Sequence, residues 1–114
     1  MTHPVINVRF HRRRWALGQD ELATLLGISQ SIYSRIESGE KPATVRLLVA
    51  LQVIFGLSLR RILPALYHQI EEAIMGRAVA LDKKWATCNN YNAERKRQLL
   101  SAMVYRVRGS DQAA

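Results

Sequence analysis

Residues Gln19 to Gly39 read QDELATLLGISQSIYSRIESG, and this stretch decides the fold. It predicts two short helices joined by a tight turn at Gly27. The first carries Leu22, Ala23 and Leu26 on one face. The second sets polar Gln30, Ser31, Ser34 and Arg35 outward and keeps Ile36 for the core. Gly18 can cap the leading helix, and Asp20 and Glu21 fall in its first turn, where acids suit the macrodipole. Gly27 ends that helix because glycine adopts the left-handed conformation at little cost. Ser29 caps the second helix, which stops at Gly39. A compact helix pair whose second member presents amide, hydroxyl and guanidinium groups suits a DNA major groove.

Outward from this pair, the pattern stays helical and shows no convincing strand. Upstream, Val8 to Ala16 predicts a first helix charged on most faces, with Arg9, Arg12, Arg13 and Arg14. Downstream, Lys41-Pro42-Ala43 is a linker and Thr44 the cap of a fourth helix. That helix repeats Leu48, Leu51 and Phe55 at three- and four-residue spacing and closes at Gly56. Ser58 caps a short fifth helix with Leu59, Ile62 and Leu63. Pro64 ends this first module, so the sequence divides into residues 1–64 and 65–114.

Beyond Pro64 the helices lengthen. Leu66, Ile70, Ile74, Leu81 and Trp85 form an apolar stripe interrupted only by Gly76. Asn89-Asn90-Tyr91-Asn92 is a turn with Asn92 as cap. A last helix, Ala93 to Val107, carries Leu99, Leu100, Met103, Val104 and Val107 and stops at Gly109. The expected fold is all-α: a five-helix bundle followed by two C-terminal helices.

The composition agrees with a folded domain that favours a polyanion. Hydrophobic residues make up 48% of the 114, too many for a disordered tail. Lys and Arg number 17 against 9 Asp and Glu, giving +8. Such an excess speeds encounter with nucleic acid but carries no sequence preference, and surface charge for solubility is the plain alternative. Arginine supplies 13 of those cations, and its planar donor fork matches phosphates and guanine edges. The single Cys88 has no internal disulfide partner, no apolar run is long enough to cross a bilayer, and MTHPVINVRFHRRR lacks an apolar signal region. These features place the expected protein in the cytoplasm, away from membranes.

Residues 8–63 resemble the phage-repressor-like (Cro, or XRE, type) helix-turn-helix family. The resemblance rests on Arg12, Leu17, Gln19, Glu21-Leu22-Ala23, Gly27-Ile28-Ser29-Gln30, Ser34-Arg35-Ile36-Glu37 and Gly39. Pro42, Leu48, Leu51, Phe55-Gly56 and Ser58-Leu59 extend it. It implies an operator-binding bundle, usually dimeric on a palindrome, with the second helix of the motif in the major groove. Gln30, Ser31 and Arg35 then take the base-reading positions. Gln pairs with adenine N6 and N7, Arg forks onto guanine O6 and N7, and Ser serves either. Gln19 takes the place of a phosphate contact at a helix start. Ser29, Ser34 and Lys41 are further DNA-binding candidates, with helix capping by Gln19 and Ser29 and a neutral surface role for Ser34 as the lesser alternatives. Arg12 and Glu37 match a partly buried structural ion pair.

Some positions depart from the family. His11 stands where a core leucine is common, and Tyr33 replaces an aliphatic residue and brings a hydroxyl that needs a partner. Ile32 falls where small polar residues are common, to contact a thymine methyl or merely to pack. Arg60 and Arg61 stand where acids are frequent.

Nothing in the chain reads as catalysis or as a cofactor site. His3, His11, His68 and Cys88 have no zinc-ligand spacing, and there is no nucleophile elbow, P-loop or dinucleotide fingerprint. The expectation is no enzyme, no metal and no cofactor. Leu66, Ile70, Ile74, Leu81, Trp85, Leu100 and Val104 form a candidate dimer interface, against the plainer reading of a hairpin folded back onto the first module. Lys83, Lys84, Arg95, Lys96 and Arg97 suit a solvated face better than flanking DNA. Two functions follow: a repressor binding a palindromic double-stranded operator as a homodimer, or an antitoxin whose segment 65–107 grips a regulatory protein partner. A third, a protein-interaction module without DNA, sits poorly with +8 and the outward Gln30, Ser31 and Arg35.

Overall fold

The helix signals of the sequence translate into seven helices in the computed structural model, which describes residues 6–112. In order they are α1 (Val8–Arg14), α2 (Gln19–Leu26), α3 (Gln30–Glu37), α4 (Val45–Phe55), α5 (Leu59–Ile62), α6 (Pro64–Ala86) and α7 (Tyr91–Gln112). No strand occurs among the described residues, so the expected all-α architecture of five helices followed by two holds. The chain forms two compact units, Met1–Gln69 and Ile70–Ala114, and α6 runs across their division.

In the first unit, short helices are set by their caps. The Gly18 N–H donates to Glu21 Oε1 at 2.8 Å, closing the start of α2. Ser29 Oγ accepts from the Ile32 N–H and Thr44 Oγ1 from the Leu47 N–H, each at 3.2 Å. Gly27 and Gly56 end α2 and α4 in the left-handed conformation, with φ of 75° and 66°. Ser58 stands at the start of α5 without a side-chain capping bond. Helix α1 stops at Arg14, two residues short of the expected Ala16, because Ala16 itself turns to φ 58° and releases the chain toward α2.

These elements close one core. Ile6, Val8, Leu22, Ala23, Tyr33, Ile36, Leu47, Leu51 and Ile62 are buried together, with Leu26, Ile28, Leu48, Phe55 and Leu63 packed against them. The Asn7 N–H donates to the Ile62 carbonyl at 2.6 Å and joins the start of the unit to α5. The first helix is less polar in place than its charge suggests, since both His11 and Arg12 are buried.

The second unit is a helical hairpin. Asn90, not the expected Asn92, caps α7: its Oδ1 accepts from the Ala93 N–H at 2.8 Å. Helix α7 then continues through Gly109 to Gln112, since a single glycine in a helix costs only about 1 kcal/mol. The expected apolar stripe of α6 is only partly covered within the chain. Ala78 is buried and Met75 and Trp85 are half-buried, while Ile70, Ile74 and Leu81 remain 48%, 41% and 42% exposed. From α7, Ala93 is buried and Leu100, Met103, Val104 and Val107 are half-buried.

Candidate nucleic-acid interface

The carboxylate of Glu37, at the last residue of α3, organises the interface. Its side chain is 1% exposed. Arg12 Nε donates to Oε2 at 3.0 Å and Arg12 Nη2 to Oε1 at 3.0 Å, a forked pair. The Tyr33 hydroxyl donates to Oε2. Arg9 Nε and Gln19 Nε2 both donate to Oε1, at 3.0 and 3.2 Å. Arg12 Nη1 completes the arrangement by donating to the Leu17 carbonyl at 2.8 Å. One buried acid thus joins α1, the start of α2 and the end of α3.

The electrostatics follow from this geometry. Burial pushes the Glu37 carboxyl upward, but the hydrogen bonds from Arg12, Tyr33, Arg9 and Gln19 more than reverse it and hold it at about 2. The hydrogen bond to Glu37 raises Arg12 above the ordinary arginine value. Burial and then the bond to Glu37 raise the Tyr33 hydroxyl, which stays protonated and acts as a donor. A charge removed from water is tolerated here because every partner is in place.

The hub fixes how α3 presents its other face. Tyr33, Ile36 and Glu37 are buried, and Gln30, Ser31 and Arg35 are exposed. Arg35 has no side-chain partner among the described residues, so its guanidinium is available to a ligand. Its carbonyl accepts from Glu40 N–H at 2.8 Å, Lys41 N–H at 3.2 Å and Ser38 Oγ at 3.1 Å. These bonds hold the chain that follows the helix and leave Lys41 exposed. Ile32 adds a single large apolar side chain to the polar face, 38% exposed.

The remaining sequence candidates divide between roles. Ser29 is exposed and caps α3. Ser34 is half-buried on the flank of the helix. Gln19 lies at the start of α2 but turns its side-chain amide onto Glu37. Arg12 and Glu37 form the expected ion pair, more deeply buried and more heavily bonded than a simple pair. Sequence reasoning did not find Arg9 or Tyr33 as partners of Glu37. The signal was present in spacing: Arg9 and Arg12 are three apart on one helix, and Tyr33 and Glu37 four apart on another. His11 occupies the core position, edge-on to Phe10 and tilted against Phe55, with Nε2 buried and unpaired.

In the hairpin, three of the five basic candidates have local partners. Arg97 Nε pairs with Asp82 at 2.9 Å, Lys96 lies 5.4 Å from the Trp85 ring centroid, and Arg95 donates to the Tyr91 hydroxyl at 3.0 Å. Arg60, one of the departures from the family, stacks 4.5 Å from the Tyr67 ring centroid. Among the described residues no three of His, Cys, Asp and Glu gather as a metal site, and His3 lies outside those residues. No described helix is long and apolar enough to cross a membrane.

Compared with known proteins, residues 17–62 match the sequence model of a helix-turn-helix family of the Cro/C1 type. That family is a DNA-binding regulatory domain and not an enzymatic one. No curated protein and no solved structure matches the chain significantly. The matched segment spans α2 and α3, with the turn at Gly27 between them, and runs on through α4 and α5. Residues 17–62 therefore carry a helix-turn-helix of the XRE (Cro/C1) type, a domain that supports a DNA-binding transcriptional regulator.

Proposed function

We propose that the protein is a repressor that occupies a palindromic operator as a homodimer, with α3 in the major groove. The observation that carries this reading is the outward set Gln30, Ser31 and Arg35 on a helix whose inner face is fixed through Glu37. A recognition helix must hold its donors in one geometry, because each bidentate base contact discriminates by about 1–3 kcal/mol only when aligned. Arg35 suits guanine O6 and N7, Gln30 suits adenine N6 and N7, and Ser31 suits either. Ser29, Ser34 and Lys41 are the backbone-contact candidates around it. Gln19 contributes through its main-chain N–H at the start of α2, since its side chain is engaged by Glu37.

Residues 1–64 would make the DNA contacts, and 65–114 would supply the dimer interface. Of the interface candidates, Ile70, Ile74 and Leu81 are the exposed ones. Leu66, Trp85, Leu100 and Val104 are half-buried within the chain. A two-helix unit that leaves these side chains in water gains stability by pairing with a second copy.

The test combines selection of bound sequences from a random duplex library with light scattering over a concentration series. The expected result is a palindrome with half-sites about one helical turn apart and a dimer lost in Ile74→Asp. A non-palindromic preference and a monomer at every concentration would instead favour the antitoxin-type reading, with the hairpin reserved for a protein partner. Repression itself is checked by a reporter placed behind the selected sequence, whose expression must fall when the protein is supplied.

A further inference from the structure

Helix α1 carries a second basic surface that the recognition helix does not account for. Its buried side holds Val8, His11 and Arg12, and its exposed side holds Arg9, Phe10, Arg13 and Arg14. Together with Asn7, these four line one shallow concavity. The helix contains no acid. Arg13 and Arg14 have no side-chain partner among the described residues.

Arg9 fixes where this surface lies. Its Nε donates to Glu37 Oε1, the oxygen that also receives Gln19 Nε2. Arg9 therefore stands one carboxylate away from the first residue of α2. In this type of motif the first of the two helices crosses the DNA backbone, and a helix start favours phosphate. The Arg9 side chain remains 55% exposed while holding Glu37. At about 100° per residue, Arg13 sits about 40° round α1 from Arg9, next to the side chain that holds Glu37. Arg14 sits about 140° from Arg9 by the same rotation, on the far side of Phe10. The two unpaired arginines are thus not equivalent.

We propose that Arg9 and Arg13 form a phosphate-binding edge on α1 that extends the DNA footprint beyond the contacts of α2 and α3. The inference rests on the DNA-binding reading above. Guanidinium forks suit phosphate oxygens, and contacts of this kind add affinity and fix register without reading bases. Arg9 would couple that edge to the recognition helix, because the same side chain holds the carboxylate at the end of α3.

The experiment is the salt dependence of binding for the unmodified full chain, Arg13→Gln and Arg14→Gln. Each is titrated with a random-sequence duplex and with the DNA upstream of its own gene. The Arg13 side chain bonds to nothing among the described residues, so its substitution leaves thermal unfolding unchanged and isolates the contact. Arg13→Gln is expected to flatten the plot of log affinity against log salt by about 0.9, weakening both duplexes by the same factor. Arg14→Gln is expected to leave the slope in place. An unchanged slope in Arg13→Gln, or equal flattening in both variants, would overturn the proposal, the latter by showing a diffuse field in place of an edge. If the unmodified chain binds neither duplex at any salt, the DNA-binding reading itself falls, and the edge with it.

Discussion

The two units of this protein solve the burial problem differently. In Met1–Gln69, a cluster including Leu22, Tyr33, Leu51 and Ile62 is closed by the unit's own helices. In Ile70–Ala114, the buried residues among those described are Ala78 and Ala93, and large side chains such as Ile70, Leu81, Leu99 and Tyr105 stay exposed. Their ion pairs differ in the same sense. The Arg12–Glu37 pair is buried and shared with Tyr33, Arg9 and Gln19, whereas both members of the Arg97–Asp82 pair are open to water. A self-sufficient core supports a rigid display surface, and an incomplete one suits the pairing proposed for the hairpin.

The largest expected effect comes from the buried carboxylate. Glu37→Ala strands Arg12 in the interior and should cost the first unit about 3–5 kcal/mol, read as a lower urea midpoint. Asp82→Ala, its counterpart in the hairpin, should leave the unfolding curve unchanged, because an exposed pair in water contributes little. Equal losses in the two variants would erase the distinction drawn between the units.

Core truncation should separate the units next. Leu51→Ala removes a side chain 1% exposed and should cost about 2–5 kcal/mol. Leu81→Ala should instead spare the folded monomer and weaken self-association, measured by sedimentation equilibrium.

Acid should act on the first unit through Glu37. Its carboxyl is held at about 2 against an unfolded value of 4.5. The stabilisation is therefore complete above pH 4.5 and is lost as pH falls toward 2. The difference corresponds to about 3 kcal/mol. Unfolding free energies measured across that window should fall steeply in the native chain and less steeply in Glu37→Gln. The smallest of these effects is Tyr33→Phe, which removes one hydrogen bond to a charged acceptor and should cost about 2 kcal/mol.

Much of this was legible in the sequence, for identifiable reasons. Gly27, Ser29, Thr44 and Gly56 encode local conformations, and local signals survive folding. The Arg12–Glu37 pair was legible only through the family resemblance, since the two residues are 25 apart in the chain. Spacing records that Tyr33 shares a helix face with Glu37 and Arg9 with Arg12, but the convergence of α1, α2 and α3 on one carboxylate depends on how the helices meet. Which side of the hairpin faces inward was not legible for a related reason. Ile70, Ile74 and Leu81 are larger and more apolar than Ala78, yet the small residue faces inward in α6. Close approach of two helices favours a small side chain at the contact, and hydrophobicity alone does not encode that.

The most direct measurement is the ratio of affinities for upstream and random duplex in the native chain and in Arg35→Ala. Arg35 is exposed and its side chain supports nothing in the fold, so the variant should unfold at the native temperature. The account predicts strong preference for the upstream duplex in the native chain and its collapse in Arg35→Ala, with binding to random duplex reduced far less. A preference that survives Arg35→Ala would mean that α3 does not read bases through this residue, and would contradict the account.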